Sequence, residues 1–403
     1  MTERVALMRD INPVADDIFV QAGLAIDPFE KSASLEELTS LVSQATLLGV
    51  RSGPSVPGSM IEASPDLEAI GCFCVGTNHV DLETASNNGV AVFNSVHENT
   101  RSVAELVIAN TFGMLRRIPE HSMRLHGGEW TKTDELSYEI RGKTMGIIGY
   151  GTIGSQVSDM AEGLGMDVVY FDPASKFPSL GRARQLGTME EVLETADVVT
   201  IHVPGGASTK NMIDADALEN MRPGSYLINT SRGDVVDNEA LAEALESRHL
   251  AGAAIDVFVD EPKKKGAPFE HILQGVGRAV LTPHIAGSTI EAQCEIALKT
   301  AQKLVGYLRT GNSNGSVNLP EIMLNGQPDG TSRILNIHEN VTGASASIDS
   351  LVAEAGLNIV DSILKTRGQI GYAAIDVEGA ISDELISEME ALPPTRRARV
   401  IAH

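Results

Sequence analysis

The chain has 403 residues, and its 31 lysine and arginine residues are outnumbered by 54 aspartate and glutamate residues, which gives a formal charge of −23. This length exceeds what a single hydrophobic core usually organises, so we expect two or three domains. The acidic surface repels nucleic acids and anionic membranes, which excludes both as expected partners. Any site for an anionic ligand must therefore supply its own cations.

Cysteine content and hydropathy predict a cytoplasmic protein. Cys72, Cys74 and Cys294 form neither a disulfide framework nor a metal-ligand spacing, so we expect reduced thiols and no metal site. The N-terminus lacks the pattern of a signal peptide, and no apolar run approaches the length of a membrane span.

The first section of the chain shows an α/β pattern. Strands are predicted at 4–8, 45–50, 67–72 and 90–93, with helical patterns between several of them. A long helix is predicted at 100–115, and Ser102 with Glu105 forms a candidate capping box for it. We interpret this helix as the connection between two domains.

A glycine-rich pattern follows that helix. Gly149-Tyr-Gly-Thr-Ile-Gly154 comes after the apolar run 144–148 and before a helical pattern. Gly149 permits a tight turn, Gly151 permits close approach of a pyrophosphate, and Gly154 permits close packing of helix on strand. Asp172 ends the next apolar run, about 20 residues on, where a carboxylate binds ribose hydroxyls and repels a 2′-phosphate. The pattern predicts a dinucleotide site that prefers NAD to NADP.

Further apolar runs at 197–201, 225–229, 252–256 and 279–282 predict the remaining parallel strands of a doubly wound nucleotide domain. Residues 311–330 are rich in glycine, asparagine, serine and proline, and we interpret them as a linker. Beyond it, strands near 333–337, 357–360, 370–375 and 396–401 and helices near 345–354 and 383–391 give the order β-α-β-β-α-β. That order predicts a ferredoxin-like unit, which suits pairing and ligand sensing.

Three polar residues follow predicted strands of the nucleotide domain: Arg232, Glu261 and His284. Ligands of open parallel sheets bind at the carboxyl ends of the strands. A guanidinium holds the carboxylate of a 2-hydroxy or 2-oxo acid in two parallel hydrogen bonds, and an imidazole exchanges the hydroxyl proton near neutral pH. A carboxylate beside the imidazole raises its pKa. Each residue alone also fits a structural role in a turn, and it is their joint placement that indicates catalysis.

With these motifs, the chain resembles the D-isomer-specific 2-hydroxyacid dehydrogenase family. The resemblance rests on residues 146–154, 221–233 and 281–288 and covers nearly the whole chain. It implies an α/β fold of two doubly wound parallel-sheet (Rossmann-like) domains and a C-terminal ferredoxin-like (βαββαβ) ACT domain. The implied ranges are 1–99 with 285–326 for substrate binding, 100–284 for NAD binding and 331–403 for the ACT domain.

Segments 99–106, 256–262 and 337–340 are most similar to family members that oxidise 3-phosphoglycerate to 3-phosphohydroxypyruvate with NAD, the first step of L-serine biosynthesis. The resemblance implies a homo-oligomer, either a dimer or a tetramer, with L-serine as a possible effector. It assigns catalysis to Arg232, Glu261 and His284. The implied cofactor contacts are Gly149, Gly151, Thr152, Ile153, Gly154, Asp172, Thr230, Ser231, Asp256 and Gly287. The implied substrate contacts are Arg51, Ser52, Asn99 and Gln293, and the implied serine contacts are His338, Asn340 and Asn358.

Some residues depart from the family pattern. Gly53 stands where similar sequences carry a second arginine, which leaves that loop with one cation fewer for a phosphate. The loop 341–345 also differs, so a purely oligomeric ACT domain is an alternative to a serine sensor. Trp130 is interpreted as packing or a subunit contact, and 263–265, three lysines, as a solvated loop. A reductase for hydroxypyruvate, glyoxylate or 2-oxoglutarate and a non-catalytic NAD-sensing protein remain alternative functions.

Overall fold

A computed structural model describes residues 3–176, 181–262, 266–324 and 326–401. The chain divides into two compact units. The first unit contains residues 1–98 and 293–403, and the second contains residues 99–292. The predicted α/β architecture is confirmed, with two parallel sheets and a smaller antiparallel sheet near the C-terminus.

The first unit begins with a five-stranded parallel sheet. Its strands are β1 (Arg4–Met8), β2 (Ala25–Phe29), β3 (Leu47–Val50), β4 (Ala69–Cys72) and β5 (Ala91–Phe93), in the order β2-β1-β3-β4-β5. The helices between them are α1 (Val14–Gln21), α2 (Leu35–Val42), α3 (Gly58–Glu62) and α4 (Leu82–Asn87). The central strands are buried along their whole length because helices cover both faces of such a sheet.

The second unit contains a seven-stranded parallel sheet. Two helices come first, α5 (Thr100–Leu115) and α6 (Ile118–His126). The strands are β6 (Thr144–Ile148), β7 (Asp167–Phe171), β8 (Arg184–Gln185), β9 (Val198–Ile201), β10 (Tyr226–Asn229), β11 (Gly252–Ile255) and β12 (Ala279–Leu281). The helices α7 (Thr152–Gly163), α8 (Met189–Thr195), α9 (Ala215–Asn220) and α10 (Asn238–Glu246) connect strands, and residues 233–235 form a 3-10 helix. The strand order β12-β11-β10-β9-β6-β7-β8 reverses direction at β6, the doubly wound pattern.

The C-terminal sheet belongs to the first unit. After α11 (Ile290–Thr310) come β13 (Thr331–Glu339), α12 (Ala344–Glu354), β14 (Ile359–Arg367), β15 (Ile370–Glu378), α13 (Asp383–Glu390) and β16 (Thr395–Ile401). The sheet is antiparallel, in the order β14-β15-β13-β16, as the ferredoxin-like prediction requires. Ile334 and Ile375 pack with α12 and α13 on one face. Leu335, Ile337 and Tyr372 on the other face join the core of the five-stranded domain.

Polar contacts fasten β16 to that domain. Arg397 donates to the Pro65 carbonyl at 2.8 Å, and Arg399 donates to the Tyr307 carbonyl at 2.7 Å. Both guanidinium groups also lie within salt-bridge distance of Glu68. β16, at one edge of the sheet, is therefore bound to the rest of its own unit. β14, at the other edge, is exposed along nearly its whole length.

The predicted capping box of α5 is wrong. The helix begins at Thr100, so Ser102 and Glu105 lie inside it. The Ser102 hydroxyl pairs with Thr289 Oγ1 at 2.7 Å, and Glu105 pairs with Arg101. Among the described residues, no helix is both long and apolar enough to cross a membrane.

Candidate active site

The glycine-rich turn joins β6 to α7. Gly149 has a φ of +91°, which favours glycine, and a Cβ there would collide with the His202 carbonyl oxygen. A Cβ on Gly154 would collide with the Gly149 carbonyl, so helix and turn pack as closely as glycine allows. Gly151 precedes the first turn of α7, and a Cβ on it would meet open space. Thr152 and Ile153 start that helix, whose N-terminal amides can bind a phosphate.

Asp172 follows β7, next to the glycine-rich turn. Its carboxylate accepts hydrogen bonds from the Tyr150 amide and the Ala174 amide, both at 2.9 Å. These bonds fix the acid beside the turn, in the position expected for the group that binds the adenine ribose. Tyr150 stacks on Tyr170 with ring centroids 3.7 Å apart, which further fixes the turn.

The loop after β10 carries Thr230, Ser231 and Arg232. Asn229 organises it, because its side chain accepts from the Ser231 amide at 3.0 Å and donates to the Arg232 carbonyl at 2.9 Å. Thr230 Oγ1 is buried and has no hydrogen-bond partner among the described residues. A buried hydroxyl without a partner is costly, so this atom is suited to bonding a ligand that the loop receives.

Arg232 is exposed at the end of this loop, where its Nη1 donates to the Ser231 carbonyl at 2.7 Å. The next residue, Gly233, brings two loops together. A Cβ on Gly233 would lie 2.5 Å from the Val259 amide nitrogen, so the loop of Arg232 approaches the loop of Glu261 to a distance that no other residue type permits.

His284 and Glu261 form a direct pair. Nδ1 of His284 lies 2.8 Å from one carboxylate oxygen of Glu261 and 2.9 Å from the other. Glu261 also accepts from the Phe258 amide at 3.1 Å. Since Nδ1 faces the carboxylate, Nε2 is left to exchange a proton with a substrate.

Charges around the pair set its protonation. The hydrogen bond to Glu261 raises the pKa of His284 above its ordinary value, against an opposing effect of burial, and the nearby charge of Arg232 also opposes the rise. For Glu261, burial raises the pKa, but the hydrogen bonds from His284 and the Phe258 amide outweigh it, so the net pKa is lowered. Arg232 acts on both groups, which shows that the structure brings the three predicted catalytic residues together.

Asp256, one of the predicted cofactor contacts, is buried and bonded by the chain itself. It is 1% exposed, and its carboxylate accepts from Thr282 Oγ1 and from the amides of Ile285 and Ala286, both at 2.9 Å. Its carbonyl accepts from the His284 amide at 2.8 Å. Asp256 therefore anchors the loop that presents His284, and sequence reasoning missed this role because a pattern does not show which acceptor binds which amide.

The other predicted ligand residues fall in separate places. Asn99 lies against Gly287 in the second unit, since a Cβ on that glycine would collide with the Asn99 amide. Arg51 and Ser52 follow β3 in the first unit, and Gln293 lies on α11. His338 is 2% exposed, and its Nδ1 bonds Asn336 at 2.9 Å. Residues 263–265, the three lysines, lie outside the described part of the chain.

Comparison with known proteins identifies the family. Residues 108–286 match the model of the D-isomer specific 2-hydroxyacid dehydrogenase, NAD binding domain. A D-3-phosphoglycerate dehydrogenase of Haemophilus influenzae is 43% identical over 399 residues, which cover 99% of this chain and 97% of that protein. A D-3-phosphoglycerate dehydrogenase of Escherichia coli K12 is 44% identical, and the matched residues cover 98% of this chain and 96% of that protein. The chain belongs to the D-isomer specific 2-hydroxyacid dehydrogenase family.

A solved structure of a D-isomer specific 2-hydroxyacid dehydrogenase supports the same conclusion. The NAD complex of the Lactobacillus delbrueckii ssp. bulgaricus enzyme superposes with a TM-score of 0.69 at 25% identity, covering 78% of this chain and all of that one. As a member of this family, the chain is an NAD-dependent dehydrogenase, and both the predicted cofactor and the enzyme class are confirmed. Its residues fit NAD, because the glycine-rich turn is open at Gly151 and Thr230 Oγ1 has no hydrogen-bond partner within the described ranges.

Proposed function

We propose that this dehydrogenase oxidises 3-phosphoglycerate to 3-phosphohydroxypyruvate with NAD, the first step of L-serine biosynthesis. The relatives that are named for this substrate match the chain over nearly its full length. The observation that carries the chemistry is the 2.8 Å pair of His284 and Glu261 with the charge of Arg232 beside it.

The three residues have complementary tasks in this reaction. Arg232 holds the substrate carboxylate and so fixes the carbon that loses hydride. Nε2 of His284 accepts the hydroxyl proton, and Glu261 stabilises the imidazolium that forms. When bound, NAD supplies the hydride acceptor. Reduction reverses these steps, with His284 returning the proton to the carbonyl oxygen.

A second candidate function is the reduction of another small 2-oxo acid, such as hydroxypyruvate, glyoxylate or 2-oxoglutarate, because the same three residues serve any substrate of this type. A third is a non-catalytic NAD-sensing protein, which the intact pair at His284 disfavours. Initial rates with NAD and 3-phosphoglycerate, and with NADH and each 2-oxo acid, distinguish these functions. We expect 3-phosphohydroxypyruvate to be the preferred oxo acid. A higher kcat/KM for one of the others would contradict the substrate assignment, and no turnover of any would contradict catalysis.

We also propose L-serine as an effector bound between two copies of the C-terminal sheet. Asn340 donates to the Gly368 carbonyl at 3.1 Å, at one end of the sheet, and Asn358 donates to Glu378 at 3.1 Å, at the other. With a rise of about 3.4 Å per residue, the strand register places these two ends of the sheet roughly 25 Å apart. One chain therefore cannot bind a single serine with both Asn340 and Asn358.

Antiparallel pairing of β14 with β14 of a second copy would close that distance. Such pairing brings Asn358, before the strand, next to the partner strand's end, where Gly368 holds Asn340. The exposed edge of β14 supports this arrangement, since long unpaired edges are normally covered.

A homo-oligomer, either a dimer or a tetramer, is part of the proposal. Trp130 is 81% exposed, which favours a subunit contact over packing, the two interpretations that the sequence left open. Met123 and Leu125 on α6 are also more than half exposed. We further propose a cytoplasmic location, supported by the free thiols of Cys72, Cys74 and Cys294. The predicted ranges of the substrate-binding, NAD-binding and ACT domains stand as proposals as well.

A further inference from the structure

Asp172 is the first residue of a loop that follows β7 in the second unit and that the structure describes as far as Lys176. Its carboxylate turns back to the Tyr150 amide of the glycine-rich turn and to the Ala174 amide of the loop, both at 2.9 Å. One of the two bonds that orient the carboxylate therefore comes from the loop itself. Where the loop 172–176 lies decides where the acid points.

Gln185 on β8 binds this loop with its whole side-chain amide. Its Nε2 donates to the carbonyls of Asp172 at 3.0 Å and Ala174 at 3.1 Å, and its Oε1 accepts from the Lys176 amide at 3.2 Å. A glutamine side chain has two N–H groups and one oxygen, so each of these groups is directed to the same loop. Tyr170 Oη donates to the Lys176 carbonyl at 2.9 Å, which fixes the far end of the loop as well.

The strand that carries Gln185 is only two residues long and lies at the edge of the seven-stranded sheet. Its register with β7 sets Gln185 beside Tyr170, so the two side chains that bind Lys176 come from paired positions. Both residues of β8 are exposed, so burial of apolar surface does not explain why the strand is there. What β8 contributes is the placement of the Gln185 amide against the loop of Asp172.

We propose that Gln185 is a positioning residue for cofactor choice. By holding the loop 172–176, it keeps the Asp172 carboxylate in the orientation that binds the ribose of NAD and repels the 2′-phosphate of NADP. A loop released from Gln185 would let the carboxylate turn away from an incoming phosphate. Gln185 acts through Asp172 and needs no contact of its own with the cofactor. This inference rests on the expected contact of Asp172 with the adenine ribose, and it does not depend on which substrate is oxidised.

Fluorescence titrations with NADH and with NADPH, in the absence of substrate, measure the preference as a ratio of dissociation constants. For Gln185→Met, which keeps the length of the side chain and loses its amide, we expect the ratio to move toward NADPH by about 3- to 10-fold, as for the loss of one hydrogen bond. Gln185→Glu keeps the oxygen that serves the Lys176 amide but loses both donors, and it should change the ratio as much as Gln185→Met.

Gln274 offers a matched control in the same unit. It is also exposed and also fastens a loop, because its Nε2 donates to the Phe269 carbonyl at 3.0 Å and its Oε1 accepts from the His271 amide at 2.9 Å. Gln274→Met removes comparable bonds at a loop that does not contain Asp172. It should leave the ratio of dissociation constants unchanged, whatever its effect on the unfolding temperature.

A double-mutant cycle with Asp172 separates positioning from general support of the fold. In the Asp172→Ala background, Gln185→Met should change the ratio little further, because the carboxylate that Gln185 positions is already absent. Effects of the two substitutions that multiply would overturn the inference. So would a lower unfolding temperature of Gln185→Met with an unchanged ratio, since Gln185 would then support the loop alone. If Asp172→Ala itself leaves the ratio unchanged, the role of Asp172 and this inference fail together, and the substrate assignment is unaffected.

Discussion

Asp256 fixes the backbone at His284 and at the two residues that follow it. The Asp256 carbonyl accepts from the His284 amide at 2.8 Å, and its carboxylate accepts from the amides of Ile285 and Ala286. His284 has a φ of +52°, an unfavourable conformation for a residue with a side chain, so these bonds maintain a strained backbone. The imidazole of His284 is thus positioned by a buried acid that never touches its ring.

Replacing Asp256 with Ala should therefore damage both stability and turnover. Each buried donor left unpaired costs about 1–3 kcal/mol, and a shift of about 1 Å in a catalytic group can cost about 10²-fold in rate. Thermal unfolding and steady-state kinetics measure the two effects. Asp256→Asn, which keeps the oxygen that serves Thr282 and Ile285, should retain more of both. Normal turnover in the alanine variant would show that the loop holds His284 without Asp256.

His284→Ala should lower turnover by about 10²–10⁴-fold, because the proton acceptor for oxidation is lost. NADH affinity, measured by fluorescence titration, should be nearly unchanged, since the glycine-rich turn and Asp172 are intact. A variant with near-normal turnover would remove His284 from the mechanism.

Glu261→Gln should move the pH profile of oxidation to lower pH. Oxidation needs a neutral imidazole, and Glu261 raises the pKa of His284, so the wild-type rate increases with pH through a value above the ordinary 6.5. Without the carboxylate the pKa falls, and the ascending limb should shift down by about 1–3 units. The pair of His284 and Glu261 also contributes to the free energy of unfolding. This contribution is present below the ordinary pKa of the imidazole and is lost as pH rises through the raised pKa. A profile that does not move would mean that Glu261 leaves the imidazole pKa unaffected in solution.

Asp172→Ala should reduce the preference for NAD over NADP. The carboxylate, fixed by the amides of Tyr150 and Ala174, repels a 2′-phosphate and occupies its space. We expect the ratio of kcat/KM values for the two cofactors to change by about tenfold or more, the equivalent of roughly 1.4 kcal/mol. Equal use of NAD and NADP by the wild type would contradict this interpretation of Asp172.

Asn340→Ala should abolish inhibition by serine and spare catalysis, because it removes one side of the proposed cleft between two C-terminal sheets. An effector shifts an equilibrium only by its differential affinity for the two states, so serine must also bind the wild type measurably. Calorimetry that shows no heat with millimolar serine would end the regulatory proposal, and the altered loop 341–345 would be the first suspected cause.

Sequence patterns predicted the strands and helices that are marked by their own neighbouring residues. Continuous apolar runs identified the buried strands of both parallel sheets, and turn residues with helical spacing identified the order of the C-terminal unit. Strand β2 was missed because Asp27 and Pro28 interrupt its apolar pattern, which an edge strand tolerates. Asp27 is stabilised there by the Arg4 guanidinium, a partner 23 residues away that no local pattern reveals.

The proximity of Arg232, Glu261 and His284 was predictable because strand ends converge in a parallel sheet. What the sequence could not show is how they are held. The link between Asp256 and His284 joins residues that are 28 positions apart. It depends on side-chain and backbone geometry that exists only in the folded chain.

The shared core of the first unit constrains how such a chain can evolve. Leu335, Ile337 and Tyr372 pack with Leu304 and Tyr307 on α11, so a gene truncated after codon 330 would encode a protein with that apolar surface open to water. If the proposed effector role holds, a lineage that no longer needs feedback control can therefore change the loops of the proposed effector site long before it can discard the segment that carries them. The C-terminal sheet is inherited as part of the foldable enzyme, and the proposed sensing role is the portion free to drift.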